Sequence, residues 1–544
     1  MMRKIAGAVL LAVTALVLAA KDIDVIAGRA GGCDDLVSEF REPLSAAFVP
    51  ELTWSLPPTA KREGDVVTFS VSGEAAKHKN LAIARFDARP YVGKELSITV
   101  RARARGLSQP AAHWLGPAFS LWYRDEFTNQ MNYPGFRFPK GDFDGEYTLT
   151  VPLYGVNPCE GRLCLGIDSA SGEISFDLSS IRMSVDRKLF PPMNVGYRVT
   201  YPDHVAKRPP LHGMGVDPAL KEKDFADLAS WGAKLIRYPL DAIRDNTPKA
   251  APMTKAQSIA RFRRDTETRL AYFQTNVVGW ARKHGVKVVL LLPYGPREGS
   301  QTVFNDDVCF EAFRDMWKTV VTRLKGDTDV IYGYDLFNEP SQHKVEKYGY
   351  FGLQERVARA IREIDPDTSI IVEASNCDAP DAYSYMSALD LPNVIYEVHV
   401  YQPMAYTHQL VGTARKERSA YPRPASATET AIDKEFLRKV LDPVRKFQRE
   451  HDCKIFVGEF SVTAWAEGGA QYLDDLMSLF DEYGWDWTYL AFRSATLWSV
   501  EHGATDSGHR WKAKNETDRK KVLLKWMTKG DAGTTRQLTQ KEGL

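Results

Sequence analysis

The segments VKVVLLLPYG (286–295), FEAFRDMWKTVVTRLKG (310–326) and VIYGYDLFNEP (330–340) decide the architecture of the larger part of the chain. The first and third are short runs nearly continuous in Val, Ile, Leu and Tyr, as expected of strands buried on both faces. The second carries apolar residues at helical spacing. Strand, helix and strand in that order form a parallel unit, and the same alternation runs outward in both directions. Upstream lie strand candidates 211–217 and 233–240; downstream lie 369–375, 394–403, 454–462 and 487–493. Helix-like stretches at 218–232, 258–285, 351–364, 433–451 and 471–484 separate them. Eight such strands most economically close into a (β/α)8 barrel. An open doubly wound sheet is the alternative, but a dinucleotide-binding version would want a GxGxxG turn after its first strand, and LHGMGVD (211–217) lacks the third glycine.

Ahead of this region the rhythm differs. DVVTFSVSG (65–73), ELSITVRARARG (95–106), FSLWYRD (119–125), GEYTLTVPLY (145–154), CLGID (164–168) and ISFDLSSIRMSV (174–185) alternate with period two between turn residues. That pattern predicts an all-β sandwich over 35–188, joined through FPPMN (190–194) to a barrel over 195–530, and its ending, ASGEISFDLSSIRM (170–183), resembles the last strands of jelly-roll carbohydrate-binding-like modules. Its aromatic residues Trp114, Trp122, Tyr123, Phe127, Tyr133, Phe136 and Phe138 would fill the sandwich core or present faces to sugar rings. Residues 2–20, MRKIAGAVLLAVTALVLAA, have the charged, apolar and small-residue sections of a secretory signal peptide, so residues 1–20 are read as removed and the mature protein as secreted, with no membrane attachment after cleavage.

Over 544 residues, 71 Lys and Arg against 70 Asp and Glu leave a net charge of +1, which offers no electrostatic case for a nucleic-acid partner. The six cysteines do not make a disulfide scaffold. Cys159 and Cys164 can form a local bridge in an oxidising compartment, while Cys309, Cys377 and Cys453 fall on core patterns and are expected as buried thiols. No ligand spacing suggests a metal, and no phosphate loop or serine elbow suggests a cofactor or a serine nucleophile. The charged run KERSAYPRP (416–424) is expected to be a solvated loop.

In a barrel of this kind the chemistry collects at the carboxyl ends of the strands. Those ends carry Arg237 on the second strand, Tyr294 past the third, Asn338 and Glu339 on the fourth, His399 and Tyr401 on the sixth, Glu459 on the seventh and the 493–498 segment after the eighth. Glutamates on strands four and seven face each other across the mouth. Such a pair can flank a glycosidic bond, one carboxyl protonating the leaving oxygen and the other attacking the anomeric carbon or activating water.

YDLFNEP (334–340) and VGEF (457–460), with glutamates 120 residues apart, together with EVHVY (397–401), resemble the motifs of glycoside hydrolase family 5, the cellulase family of retaining (β/α)8 enzymes, over about residues 195–530. The resemblance implies a retaining O-glycosyl hydrolase acting on β-linked glycans of the β-glucan or β-mannan type. It implies Glu339 as acid/base, Glu459 as nucleophile, Asn338 as partner of the sugar 2-hydroxyl, His399 and Tyr401 as orienting groups and Arg237 as the group holding the nucleophile ionised. This sequence departs from the family in lacking a histidine after strand three, where Tyr294 stands nearby. The aromatic floor after strand eight is sought among Trp487, Tyr489 and Trp498, with Trp498 taken as the stacking residue. A binding protein that has lost the chemistry and a transglycosylase using the same intermediate are the alternatives; in every case the partner is a poly- or oligosaccharide.

Overall fold

The computed structural model describes residues 50–529 except 89–90, 92–93, 111, 113–114, 126–130, 154–157, 189–196, 241–252, 297–302, 305, 341–349, 385, 387, 412–417, 426–430 and 505–509. The expected signal peptide, Cys33, Trp114, Phe127 and the FPPMN linker lie outside the described residues. The chain divides into two compact units, one ending at residue 192 and the other beginning at 193.

The first unit is an antiparallel sandwich. Its strands are β1 (Thr53–Ser55), β2 (Ala60–Glu63), β3 (Val66–Val71), β4 (Lys79–Phe86), β5 (Lys94–Arg105), β6 (Gly116–Asp125), β7 (Met131–Asn132), β8 (Phe143–Pro152), β9 (Pro158–Asp168) and β10 (Gly172–Lys188). They form two five-stranded sheets, ordered β1-β4-β9-β6-β7 and β2-β3-β10-β5-β8. Alternation puts Leu96, Ile98, Val100, Ala102 and Ala104 of β5 in the core and leaves Arg101, Arg103 and Arg105 outside. Tyr123, Phe136 and Phe138 pack with that core, whereas Trp122 and Tyr133 do not belong to it.

The expected Cys159–Cys164 bridge is corrected here. Both residues lie on β9, and five positions of extended chain separate their Cα atoms by about 16 Å, well past the reach of a disulfide. Cys164 is a buried free thiol, its pKa pushed up to about 12 by burial. Cys309 and Cys453 are buried thiols as expected, but Cys377 is exposed, in a left-handed turn with φ 59°.

The second unit is a closed barrel of eight parallel strands in sequence order: β11 (His212–Val216), β12 (Leu235–Pro239), β13 (Lys287–Leu291), β14 (Ile331–Asp335), β15 (Ser369–Glu373), β16 (Val394–Val400), β17 (Lys454–Phe460) and β18 (Asp486–Phe492). Pairing of β11 with β18 completes the ring. Polar residues start the helices that wrap it: Asp306 and Asp433 accept hydrogen bonds from the amides of Cys309 and Phe436. The long helix expected over 258–285 runs through a π-helical turn at Phe273–Val277 and stops at Gly285, which takes the left-handed conformation with φ 66°. The described part of the 416–424 run, 418–424, is not simply solvated, because Tyr421 is buried and donates to Asp475 at 2.8 Å.

At the amino end of the barrel, buried Asp486 accepts from Arg208 at 3.2 Å, from the hydroxyl of Tyr332 and from the amide of Leu211. Truncating it strands a half-buried cation and a buried hydroxyl. Asp486→Ala is expected to lower the unfolding free energy measured in urea by about 3–5 kcal/mol. Turnover of the folded fraction should stay near wild type, because this face of a barrel supports stability rather than chemistry.

Candidate active site

The polar ends of the strands follow from the layering of the barrel interior. Leu235, Ile371 and Ile395 belong to an apolar cluster inside the ring, together with Val289, Tyr332 and Phe456. Side chains on one face recur every second residue. Two positions further along β12, β15 and β16 the interior therefore receives Arg237, Glu373 and Glu397, and two further on β16 it receives His399. Asp335 joins this layer from the end of β14, and all five are buried.

Arg237 is the centre of the arrangement. Its Nε donates to Asp335 at 2.8 Å and lies 2.9 Å from Glu397; Nη2 donates to Glu373 at 2.7 Å. Nη1 donates to Asn338 Oδ1 at 3.2 Å and to Glu459 Oε1 at 2.9 Å. The other oxygen of Glu459 accepts from the Tyr401 hydroxyl at 2.8 Å. Both oxygens of Glu459 thus accept hydrogen bonds, one from a guanidinium and one from a phenol. Its side chain is 14% exposed, against 35% for Glu339.

Glu339 has different surroundings. Burial pushes its pKa above the usual carboxylate range, and the charge of Arg237 opposes this. His399 Nδ1 lies 3.0 Å from Glu339 Oε1, and Nε2 lies 3.2 Å from Glu397 Oε1. Burial lowers the His399 pKa to about 3, so the imidazole is neutral near pH 7 and has one N–H to give. Burial also holds Glu397 well above its ordinary value. With Nδ1–H directed at Glu339, Nε2 is left to accept from Glu397, so both ring nitrogens of His399 have a carboxyl partner. Carboxylate oxygens of Glu339 and Glu459 and a ring nitrogen of His399 lie within 4.8 Å of one another.

The backbone of Glu339 is strained, with φ 50°. Its amide is held by a short hydrogen bond to Glu373 Oε2. Glu373 is braced in turn by buried Gln354, which donates to its carbonyl at 2.8 Å and accepts from its amide at 3.1 Å. A single carboxyl therefore joins the main chain of one mouth glutamate to the arginine that binds the other. The donor atoms of Glu373, Asp378, Glu397 and His399 also lie within 4.8 Å of one another, a set able to hold a metal ion. The Arg237 guanidinium, bound directly to Glu373 and Glu397, supplies a cation at this place.

Of the residues expected from sequence, Arg237, Asn338, Glu339, His399, Tyr401 and Glu459 come together in this cluster. Trp498 stands beside it: its ring centroid is 6.2 Å from that of Tyr401 and 4.6 Å from that of His408. Trp487 and Tyr489 are fully buried, and the Tyr489 hydroxyl donates to the Trp498 carbonyl at 2.7 Å, anchoring the segment that carries Trp498. Tyr294 is half-buried three residues beyond β13. Arg493 pairs with Asp224, Asp227 and Glu501, so it fixes the exit from β18. Asp335, Glu373 and Glu397 escaped sequence reasoning although signals existed. Glu373 is the last residue of β15, a polar end to an apolar strand like the others, and Glu397 lies two residues before His399 on the same inward face.

Fold and site define a barrel glycosidase. The model of the family Cellulase (glycosyl hydrolase family 5) matches residues 208–496, and the chain belongs to that family; it is an O-glycosyl hydrolase. Endoglucanase C of Acetivibrio thermocellus is 25% identical over 306 residues, covering 50% of this chain and 84% of its own. Cellodextrinase A of Ruminococcus flavefaciens is 25% identical over 206 residues, covering 36% and 55%. The Cel5A of Thermotoga maritima solved with cellobiose has 18% identity and a TM-score of 0.45, covering 59% of this chain and all of its own.

Gly458, directly before Glu459, has no room for a side chain: a Cβ there would lie 1.6 Å from Glu397 Oε1. Gly458→Ala is expected to displace Glu397 and with it the Arg237–His399 layer, lowering kcat/KM about 100-fold, as small misplacements of reacting groups do. Gly279→Ala, on a helix with nothing within 4 Å of the added methyl, should leave kcat/KM unchanged. Steady-state kinetics on the two variants checks both outcomes.

Proposed function

We propose that this protein cleaves β-linked glucan with retention of configuration, Glu339 serving as acid/base and Glu459 as nucleophile. The observation that carries the proposal is the joint one: two mouth carboxylates with oxygens within 4.8 Å, one held at both oxygens by the Arg237 guanidinium and the Tyr401 hydroxyl, the other with its pKa raised by burial. So close an approach of two carboxylate oxygens supports the roughly 5–5.5 Å carboxyl spacing of retaining enzymes over the roughly 6.5–9.5 Å of inverting ones. The glucan assignment draws support from the endoglucanases among the relatives.

In this mechanism Glu339 gives its proton to the glycosidic oxygen while a Glu459 oxygen bonds to the anomeric carbon. The C–O bond to the leaving sugar breaks, and a glycosyl ester remains on Glu459. Water then attacks the same carbon, Glu339 takes its proton, and the ester bond breaks to release the sugar and the Glu459 carboxylate. Arg237 and Tyr401 hold the charge that returns to Glu459. Asn338, fixed through Arg237, serves the sugar 2-hydroxyl, and Trp498 and Tyr294 line the bound chain. The leader-like residues 2–20 support action outside the cell, and no helix among the described residues is long and apolar enough to cross a membrane.

Replacing Glu459 by Ala should abolish turnover of an aryl β-glucoside or β-cellobioside. Added azide should then restore it and yield the α-glycosyl azide. Undiminished hydrolysis by Glu459→Ala would remove that residue from the mechanism. Because Glu339 must carry its proton, kcat/KM should fall as pH rises through a value above the ordinary glutamate pKa of about 4.3. In Glu339→Ala, assayed on a substrate with an activated leaving group, that alkaline limb should disappear from the pH profile.

A further inference from the structure

The sandwich carries a cleft of about 920 Å³ on the side of its first sheet that faces away from the core. Along β6 the side chains of Phe119, Leu121 and Tyr123 enter the core, so Ser120 and Trp122 point the other way. The segment following β7 continues along the edge of β6, the Phe136 amide donating to the Phe119 carbonyl at 2.7 Å, and it sets Tyr133 against Trp122. The two rings meet edge to face with centroids 5.3 Å apart. Tyr133 is 60% exposed, an unusual position for a large aromatic ring that no core requires. Around the rings stand three cations and one carboxylate: Lys79, Arg137, Lys140 and Asp168. Lys79 lies 5.1 Å above the Trp122 ring and 3.9 Å from Asp168.

We propose that this cleft is a second glycan site, separate from the barrel mouth, and that it takes a polysaccharide chain bearing carboxylate groups. Trp122 and Tyr133 offer flat apolar surface to the C–H faces of pyranose rings, which need no charge to bind there. Lys79 and Asp168 offer hydrogen bonds to hydroxyls. The surplus of Arg137 and Lys140 then selects chains with anionic substituents over neutral ones of the same backbone. The choice of a glycan rests in part on the barrel's proposed action on glucan: both units belong to one chain, so a polymer held at the cleft stays at high effective concentration for the mouth.

The test uses full-length protein carrying Glu459→Gln, so that substrate is held without turnover, and two probes of one backbone, carboxymethylcellulose and hydroxyethylcellulose. Calorimetric titration should show tighter binding of carboxymethylcellulose, weakening as salt is raised. Adding Trp122→Ala with Tyr133→Ala should weaken that binding about tenfold or more, a loss typical of aromatic anchors. Arg137→Glu with Lys140→Glu, both exposed and safe for folding, should remove the preference for the charged probe. Thermal unfolding near that of the parent confirms that each variant is folded. Isotherms unchanged by both pairs of substitutions, or equal binding of the two probes, overturn the proposal. Cleavage of either probe by Glu459→Gln would instead count against the barrel mechanism, and it is read separately as a fall in viscosity.

Discussion

One guanidinium organises the interior of this barrel. Arg237 is buried and bound to Asp335, Glu373, Glu397 and Glu459 at once. An unpaired charge at that depth would carry a large desolvation penalty, and so would each carboxylate without the arginine. The carboxyls outnumber the cation, and burial disfavours charge on the deep ones: Glu373, Asp378 and Glu397 are all pushed well above their ordinary range. Glu459 is the group that receives both the guanidinium and the Tyr401 hydroxyl, and it is the group that faces the mouth.

From this centre the positions of the other parts follow. Glu373 ties Arg237 to the main chain of Glu339, so the two mouth glutamates are spaced by one hydrogen-bonded bridge rather than by two independent loops. The bridge holds a backbone conformation that a glutamate adopts only when its surroundings impose it. His399 connects Glu339 to Glu397 and, being neutral, relays polarity without adding charge. The absence of a side chain at Gly458 is what lets Glu397 lie in this row at all.

The barrel was legible because its strands and helices use two different periods over long stretches, and the eight strand candidates all coincide with strands of the ring. The sandwich was read less completely. β4 was missed because its core-facing residues Ala82 and Ala84 are smaller than Leu81 and Ile83 on the other face, which hides the alternation. The mouth residues were legible as polar groups ending apolar strands. Asp335, Glu373 and Glu397 were not, since they act behind those residues: Asp335 and Glu397 lie inside YDLFNEP and EVHVY, but nothing in either run tells a carboxyl that holds Arg237 from one that faces the mouth. The disulfide expectation failed because spacing along a sequence does not tell a turn from a strand, and Cys159 and Cys164 share a strand.

That Glu459 forms a covalent ester while Glu339 supplies the proton is tested most directly by the configuration of the sugar first released. Proton NMR during the first minutes of glucan cleavage, before mutarotation, should show new reducing ends in the β configuration. Initial appearance of the α anomer would mean that water, not Glu459, attacks the substrate, and would contradict the account.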